Sequence, residues 1–188
     1  FALVKVSGRN RVPFPPLRIS PFILVPDHYT CCCMSGHERY MREALTEGNN
    51  ALLAGEVPIG SVVVSADGQI VGRGFNQPIR ANDPSAHAEI LALRDAARSV
   101  RNYRLNGTTL YVTVEPCPMC AGALIHSRVD RLVYGTPEPK SGAVCSAMRM
   151  LDHPALNHRI EIISGVLENQ CREMIQGFFG EKRRTLKG

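Results

Sequence analysis

No stretch of this chain reaches the roughly 20 apolar residues that a membrane-spanning helix needs. The Phe22 to Val25 run is far too short, so no membrane partner is expected. A dominant charge of one sign is also missing: the net charge is +5 and the pI about 8.9. Much of that excess sits at the start, where Lys5, Arg9, Arg11 and Arg18 face Asp27 alone. An excess this mild is compatible with an RNA partner without requiring one, because affinity for phosphates depends on where cations cluster. A disulfide framework is not expected either. Of the seven cysteines three are the adjacent Cys31, Cys32 and Cys33, and the odd number leaves one unpaired. That usage suits a reducing cytoplasm and a metal site. No internal repeat is visible, and 188 residues that are 44% hydrophobic fill one core of ordinary domain size.

The first 33 residues hold five of the 13 prolines and show neither helical nor strand periodicity. The character changes at Met34, followed by Ser35 as a helix N-cap and Glu38 as its capping-box partner. Residues 1 to 33 are therefore read as an unstructured extension, upstream of a natural start at Met34, and residues 34 to 188 as the domain. A competing reading is an organellar targeting peptide, since the segment contains arginine and is poor in acids.

Apolar spacing predicts a helix from Ser35 to about Gly55. Two β-rich runs, Ile59 to Ser65 and Gln69 to Phe75, flank Asp67-Gly68, a strong hairpin signal. Asp83-Pro84 reads as the cap and first position of a second helix with Ile90, Leu93, Ala97 and Val100 on its buried face. Next come a strand Thr109 to Val114, a helix Pro118 to His126, a strand Arg131 to Tyr134 and a short helix near Cys145 to Leu151. A strand Ile160 to Ser164 and a helix from Glu168 complete the series. Strands separated by helices imply parallel crossovers. The expected fold is a three-layer α/β/α arrangement of a five-stranded mixed sheet, whose hairpin forms one antiparallel pair.

Pro116-Cys117-Pro118-Met119-Cys120 follows a strand and opens a helix. Positions i and i+3 share a helix face, so both sulfurs can reach one ion, and a helix N-terminus favours the thiolate. A dithiol redox motif would look the same. His87, in the first turn of the preceding helix, supplies a third ligand, and three protein ligands leave the fourth tetrahedral position open as in catalytic zinc sites. The alternative is a closed site completed by Cys145, Cys171 or His126, none of which has motif spacing. Glu89 lies two residues beyond His87, a spacing that does not place both on one helix face. Its side chain meets the metal's water only if the ion sits at the helix end; otherwise Glu89 is a surface charge favoured by the helix dipole.

His87-Ala88-Glu89 followed by Pro116 to Cys120 matches the signature of zinc nucleobase deaminases, in which the glutamate is the general acid/base and not a ligand. The match extends through Gly74 to Pro78, Asn82 to Ile90, Asn102 to Leu105, Leu110 to Glu115, Cys117 to Arg128, Lys140 to Ala143, Asn157 to Arg159 and Phe178-Phe179. Over about Ser35 to Arg184 the chain resembles the bacterial tRNA-specific adenosine deaminases, within the cytidine-deaminase-like fold. The resemblance implies a cytoplasmic homodimer with one zinc ion per subunit, converting the wobble adenosine of an arginine tRNA to inosine with a zinc-activated hydroxide. It also implies roles for single residues. Asn76 would hydrogen-bond the flipped adenine, the backbone around Ala88 would steady the ring and the attacking oxygen, and Glu138 would meet the RNA near the target base. As a turn residue, Asn76 has a second reading, that it holds its own loop. Pro137 and Pro139 depart from the more polar loop of some relatives.

Phe179, Arg183 and Arg184 end the last helix. They read either as a core face followed by dipole-favoured cations, or as contacts to the tRNA anticodon loop. Two other classes share the metal motif: a free-base or nucleoside deaminase acting on cytosine or guanine, and a non-catalytic RNA-binding subunit. The carboxylate at Glu89 speaks against the second.

Overall fold

The computed structural model describes residues 34–185, so the reading of residues 1 to 33 lies outside the described residues. The Asp67-Gly68 turn joins β1 (Gly60–Val64) to β2 (Ile70–Phe75), with Gly68 at φ 82°, a left-handed conformation open to glycine without steric penalty. β3 (Thr109–Val114), β4 (Arg131–Thr136) and β5 (Glu161–Ser164) complete a sheet of order β2-β1-β3-β4-β5. β3, β4 and β5 are parallel, whereas β1 is antiparallel to both β2 and β3. The sheet thus holds the expected antiparallel hairpin and a second antiparallel pair, β1 with β3. A crossover from β2 to β3 keeps those two strands parallel; β1 lies between them and opposes both.

Strand alternation sorts the core into two halves. On one face Val62, Val64, Tyr111 and Val133 pack with Met41, Ala44 and Leu45 of α1 (Met34–Leu53) and Cys171 of α5 (Glu168–Thr185). On the other, Val63, Leu110, Val112 and Leu132 pack with Leu93 and Ala96 of α3 (Ala88–Val100) and Leu124 of α4 (Pro118–Ser127). Each fully buried aliphatic side chain contributes about 1.5–3 kcal/mol, so both halves are substantial. The result is the α/β/α layering expected from the alternation of strands and helices.

Three local expectations change. Ser35 falls inside the first turn of α1, which begins at Met34. The helix expected to open at Asp83-Pro84 starts later, as α3; a single helical turn, α2 (Pro78–Ala81), forms ahead of Asp83, and Val100 ends α3 exposed. Asp83 instead forms a side-chain turn, accepting from the Ser85 N–H at 2.8 Å and the Ser85 hydroxyl at 2.7 Å. Between Cys145 and Leu151 the chain makes turns, with the amides of Ala147 and Met148 both bonded to the Gly142 carbonyl.

α3 lies directly on the backbone of β2. A Cβ at Gly74 would come within 2.4 Å of the Ala88 carbonyl oxygen and 2.5 Å of the Ala92 nitrogen; at Gly72 it would come within 2.3 Å of the Ala92 carbonyl oxygen. These two same-face glycines set the height of α3 over the sheet, and so the position of its first turn.

Candidate active site

Two helix starts form the site in the same way. His87 is the N-cap of α3, with extended backbone at φ −76° and ψ 152°, and its carbonyl accepts the first helical bond from Leu91 at 3.0 Å. Cys117 is the N-cap of α4, at φ −74° and ψ 172°, followed by Pro118 in the first helical position. His87 is therefore not within a helical turn, which resolves the spacing problem. Its imidazole leaves from extended backbone while Glu89 projects from the first turn of α3.

His87 Nδ1, Cys117 Sγ and Cys120 Sγ stand 3.6 Å from one another. Donors bound to one tetrahedral zinc ion at ~2.0–2.3 Å are separated by roughly 3.5–3.8 Å, so the triangle has the size the ion requires. The electrostatics agree. The Cys120 thiol, with help from His87, lowers Cys117 to about 4, whereas the same sulfur contact, burial and Glu89 push Cys120 upward. One negative charge is accommodated readily and a second only with a cation among the three donors. The His87 pKa is raised, first by its contact with Cys117. Among the described residues this is the one group of three such side chains close enough to share an ion. Cys145 is exposed and Cys171 is on the buried face of α5 against Gly135, so neither joins it.

Glu89 is 4% exposed. Burial raises its carboxyl to about 6; Cys117 adds to the rise, while His87 and a contact with the Cys120 thiol oppose it. A carboxyl in that range gives up and recovers a proton readily near neutral pH. Asn76, also 4% exposed, accepts the Ala88 N–H at 2.9 Å through Oδ1. The Ala88 amide therefore holds the Asn76 side chain in place, and Asn76 bridges from the end of β2 to the start of α3.

Sequence reasoning did not single out Glu115, the buried residue that follows β3 and precedes Pro116-Cys117. Its Oε1 accepts the amides of Val144, Cys145 and Ser146 at 3.1, 2.7 and 2.9 Å. Its Oε2 accepts the Glu138 amide at 3.0 Å and the Ser146 hydroxyl. Burial alone would raise this carboxyl, but these donors outweigh it and hold it below the usual range. The available signal was a charged residue directly after a buried strand that carries no other charge. Glu56 was missed likewise: it is buried, and its Oε1 accepts the Arg80 amide of α2 at 2.7 Å.

Glu138 lies on the loop after β4, and its Oε1 accepts the Lys140 amide. The loop and α5 border a groove of about 350 Å³ lined by Pro137, Glu138, Pro139, Arg172 and Ile175. Phe179 is 42% exposed, and Arg183 and Arg184 are exposed at the end of α5. No ion pair involves either arginine among the described residues.

Residues 35–183 match the family model of MafB19-like deaminases. The tRNA-specific adenosine deaminase of Haemophilus influenzae is 46% identical over 150 residues, 80% of this chain and 87% of that protein. The enzyme of the same name from Bacillus subtilis is 44% identical over 82% of this chain and 95% of its own length. A solved structure from a study of A-to-I editing by tRNA:A34 deaminases superposes with a TM-score of 0.70 at 42% identity, covering 72% of this chain and 98% of that one. With the fold, the paired helix starts and the buried carboxylate in agreement, the chain belongs to the tRNA-specific adenosine deaminase family.

Proposed function

We propose that this protein hydrolytically deaminates adenosine to inosine at the wobble position of a tRNA, an arginine tRNA by the resemblance, with one zinc ion held by His87, Cys117 and Cys120. The observation that carries the reading is the buried carboxylate of Glu89 beside a triangle of donors sized for zinc. The reaction adds water at C6 of the adenine and releases the amine as ammonia. Bound zinc supplies a Lewis acid that brings the pKa of a water molecule from 15.7 to about 7.

Glu89 would take one proton from the attacking water and deliver it to the ring nitrogen, then take the second from the new C6 hydroxyl as the carbonyl forms and deliver it to the departing amine. Its burial excludes competing solvent from each transfer. Asn76 is held by the Ala88 amide through Oδ1, so its Nδ2 is oriented to donate to an acceptor on the base. Glu138 and the α5 residues Phe179, Arg183 and Arg184 contact the anticodon loop, the glutamate accepting from a ribose 2′-hydroxyl and the arginines meeting phosphates. The apolar groove between α3 and α4, lined by Ile90, Leu93, Ala97 and Ala123, supports assembly as a homodimer, and a reducing cytoplasm suits the free thiols.

The test is incubation of the zinc-loaded full chain with unmodified tRNA carrying a wobble adenosine, with inosine read by sequencing. Conversion of the wobble adenosine at rates far above those for free adenosine, cytosine or guanine is expected. Turnover of a free base or nucleoside without turnover of the tRNA overturns the assignment in favour of small-molecule deamination.

A further inference from the structure

Glu115 joins the segment that carries the metal-ligating cysteines to the loop on the substrate side. One carboxylate gathers four backbone amides and one hydroxyl, from residues 138, 144, 145 and 146. The neighbouring backbone repeats the connection: the Glu115 amide donates to the Thr136 carbonyl at 2.9 Å, and the Ala143 amide donates to the Pro116 carbonyl at 2.8 Å. The carboxylate also lies flat against Gly142, where a Cβ would come within 2.5 Å of Cδ and Oε2. Only glycine allows the loop to close this far. The root of the loop, Gly142 to Val144, is buried, whereas its tip at Pro137 and Pro139 to Ser141 is exposed. So short a tip, with two prolines in it, has no core of its own. Its conformation is set by the carboxylate that its root wraps, since a buried anion satisfied by converging amides is a strong and directional anchor.

We propose that Glu115 is a positioning residue for the RNA substrate. By collecting the amides of Glu138 and of Val144 to Ser146, it sets the loop tip in the conformation that presents Glu138 and Lys140 to the RNA. The inference rests on the assignment of tRNA as the substrate. Glu115 touches neither substrate nor metal, and it acts through the loop.

Glu115→Gln keeps the size of the side chain but removes its charge and turns one acceptor into a donor facing amides. The variant and the parent, both zinc-loaded, are compared for metal content, for hydrogen exchange of the amides at 138 and 144–146, and for steady-state deamination of an anticodon stem-loop bearing a wobble adenosine. The metal content is expected to hold and the loop amides to exchange faster. KM should rise about tenfold or more, the scale of losing one charge-assisted hydrogen bond, with a much smaller change in kcat. Glu115→Asp should recover part of the loss. Ser146→Ala, which removes a single contact, should shift KM in the same direction by less, and it carries the test if the Gln variant does not fold. Faster loop exchange with unchanged KM overturns the proposal and leaves the RNA assignment standing. Loss of metal with kcat and KM equally impaired overturns it in favour of a purely structural role. A parent protein inert on the stem-loop removes the RNA assignment and the proposal together.

Discussion

The starts of α3 and α4 and the end of α5 are all assigned to the substrate, yet they are built in opposite ways. At the helix starts the functional groups are largely buried and engaged: Asn76 with Ala88, His87 with both cysteines, Glu89 with Cys120. At the end of α5, Phe179, Arg183 and Arg184 project from an exposed helix. Chemistry demands fixed geometry, and fixed geometry comes from burial and close approach. Gripping a phosphate backbone demands only charge within reach, which a solvated helix end can offer. Substitutions should therefore act all-or-none in the first region and in small, graded steps in the second.

The largest break is expected from Cys117→Ala, which removes one corner of the triangle. Metal analysis should show zinc well below one per chain, with activity lost. Full occupancy in this variant would dismantle the ligand set.

Glu89→Ala comes next, and it separates the proton carrier from the ligands. Zinc content and melting temperature should stay near those of the parent while kcat falls by ~10²–10⁴, the usual range for losing a general acid/base. Near-normal turnover would remove Glu89 as the proton carrier.

A pair of glycines sharpens the comparison in stability. Gly74→Ala places a methyl group against the backbone of α3 and should cost about 1–3 kcal/mol, with activity lost as the first turn lifts. Gly177→Ala, in α5, meets nothing within 4 Å. It should stabilise the protein by roughly 0.5–1 kcal/mol through helix propensity, leaving catalysis alone. Equal effects of the two changes in urea denaturation would erase the distinction between the regions.

The smallest effect is on grip. Changing Arg183 and Arg184 together to Ala should weaken RNA binding and reduce the slope of log affinity against log salt by roughly one unit or less per phosphate contact. Asn76→Ala should leave that slope nearly unchanged and lower turnover of bound RNA. Identical salt slopes for the parent and the double arginine variant would take the α5 end out of the interface.

Elements whose signals are local were legible without a structure. β3 has the expected limits, α4 begins at the expected Pro118, and the Asp67-Gly68 hairpin forms where the turn chemistry places it. Where two local signals compete, the tertiary environment decided. Asp83 has the chemistry of a helix cap and of a side-chain turn; it forms the turn, and α3 starts five residues later. The stretch from Cys145 to Leu151 has helical spacing, but three of its neighbouring amides, at residues 144–146, are bound by Glu115, so it turns instead.

The residues proposed as donors, His87, Cys117 and Cys120, and the proposed proton carrier Glu89 were singled out from the sequence alone, because ligand chemistry resides in residue type and motif spacing. Their convergence was decided only by the tertiary structure. Thirty residues separate His87 from Cys117, and no local preference acts over that distance. What brings them to 3.6 Å is a β2 backbone bare enough at Gly72 and Gly74 for α3 to rest on it, with α4 packed on the same face of the sheet. Glu115 shows the same division. Its sequence position marks it only as a charge directly after a buried strand, and its role follows from a loop folded around it from more than twenty residues away. Close approach and buried hydrogen bonding are properties of the assembled core, so they appear only when the layers are in contact.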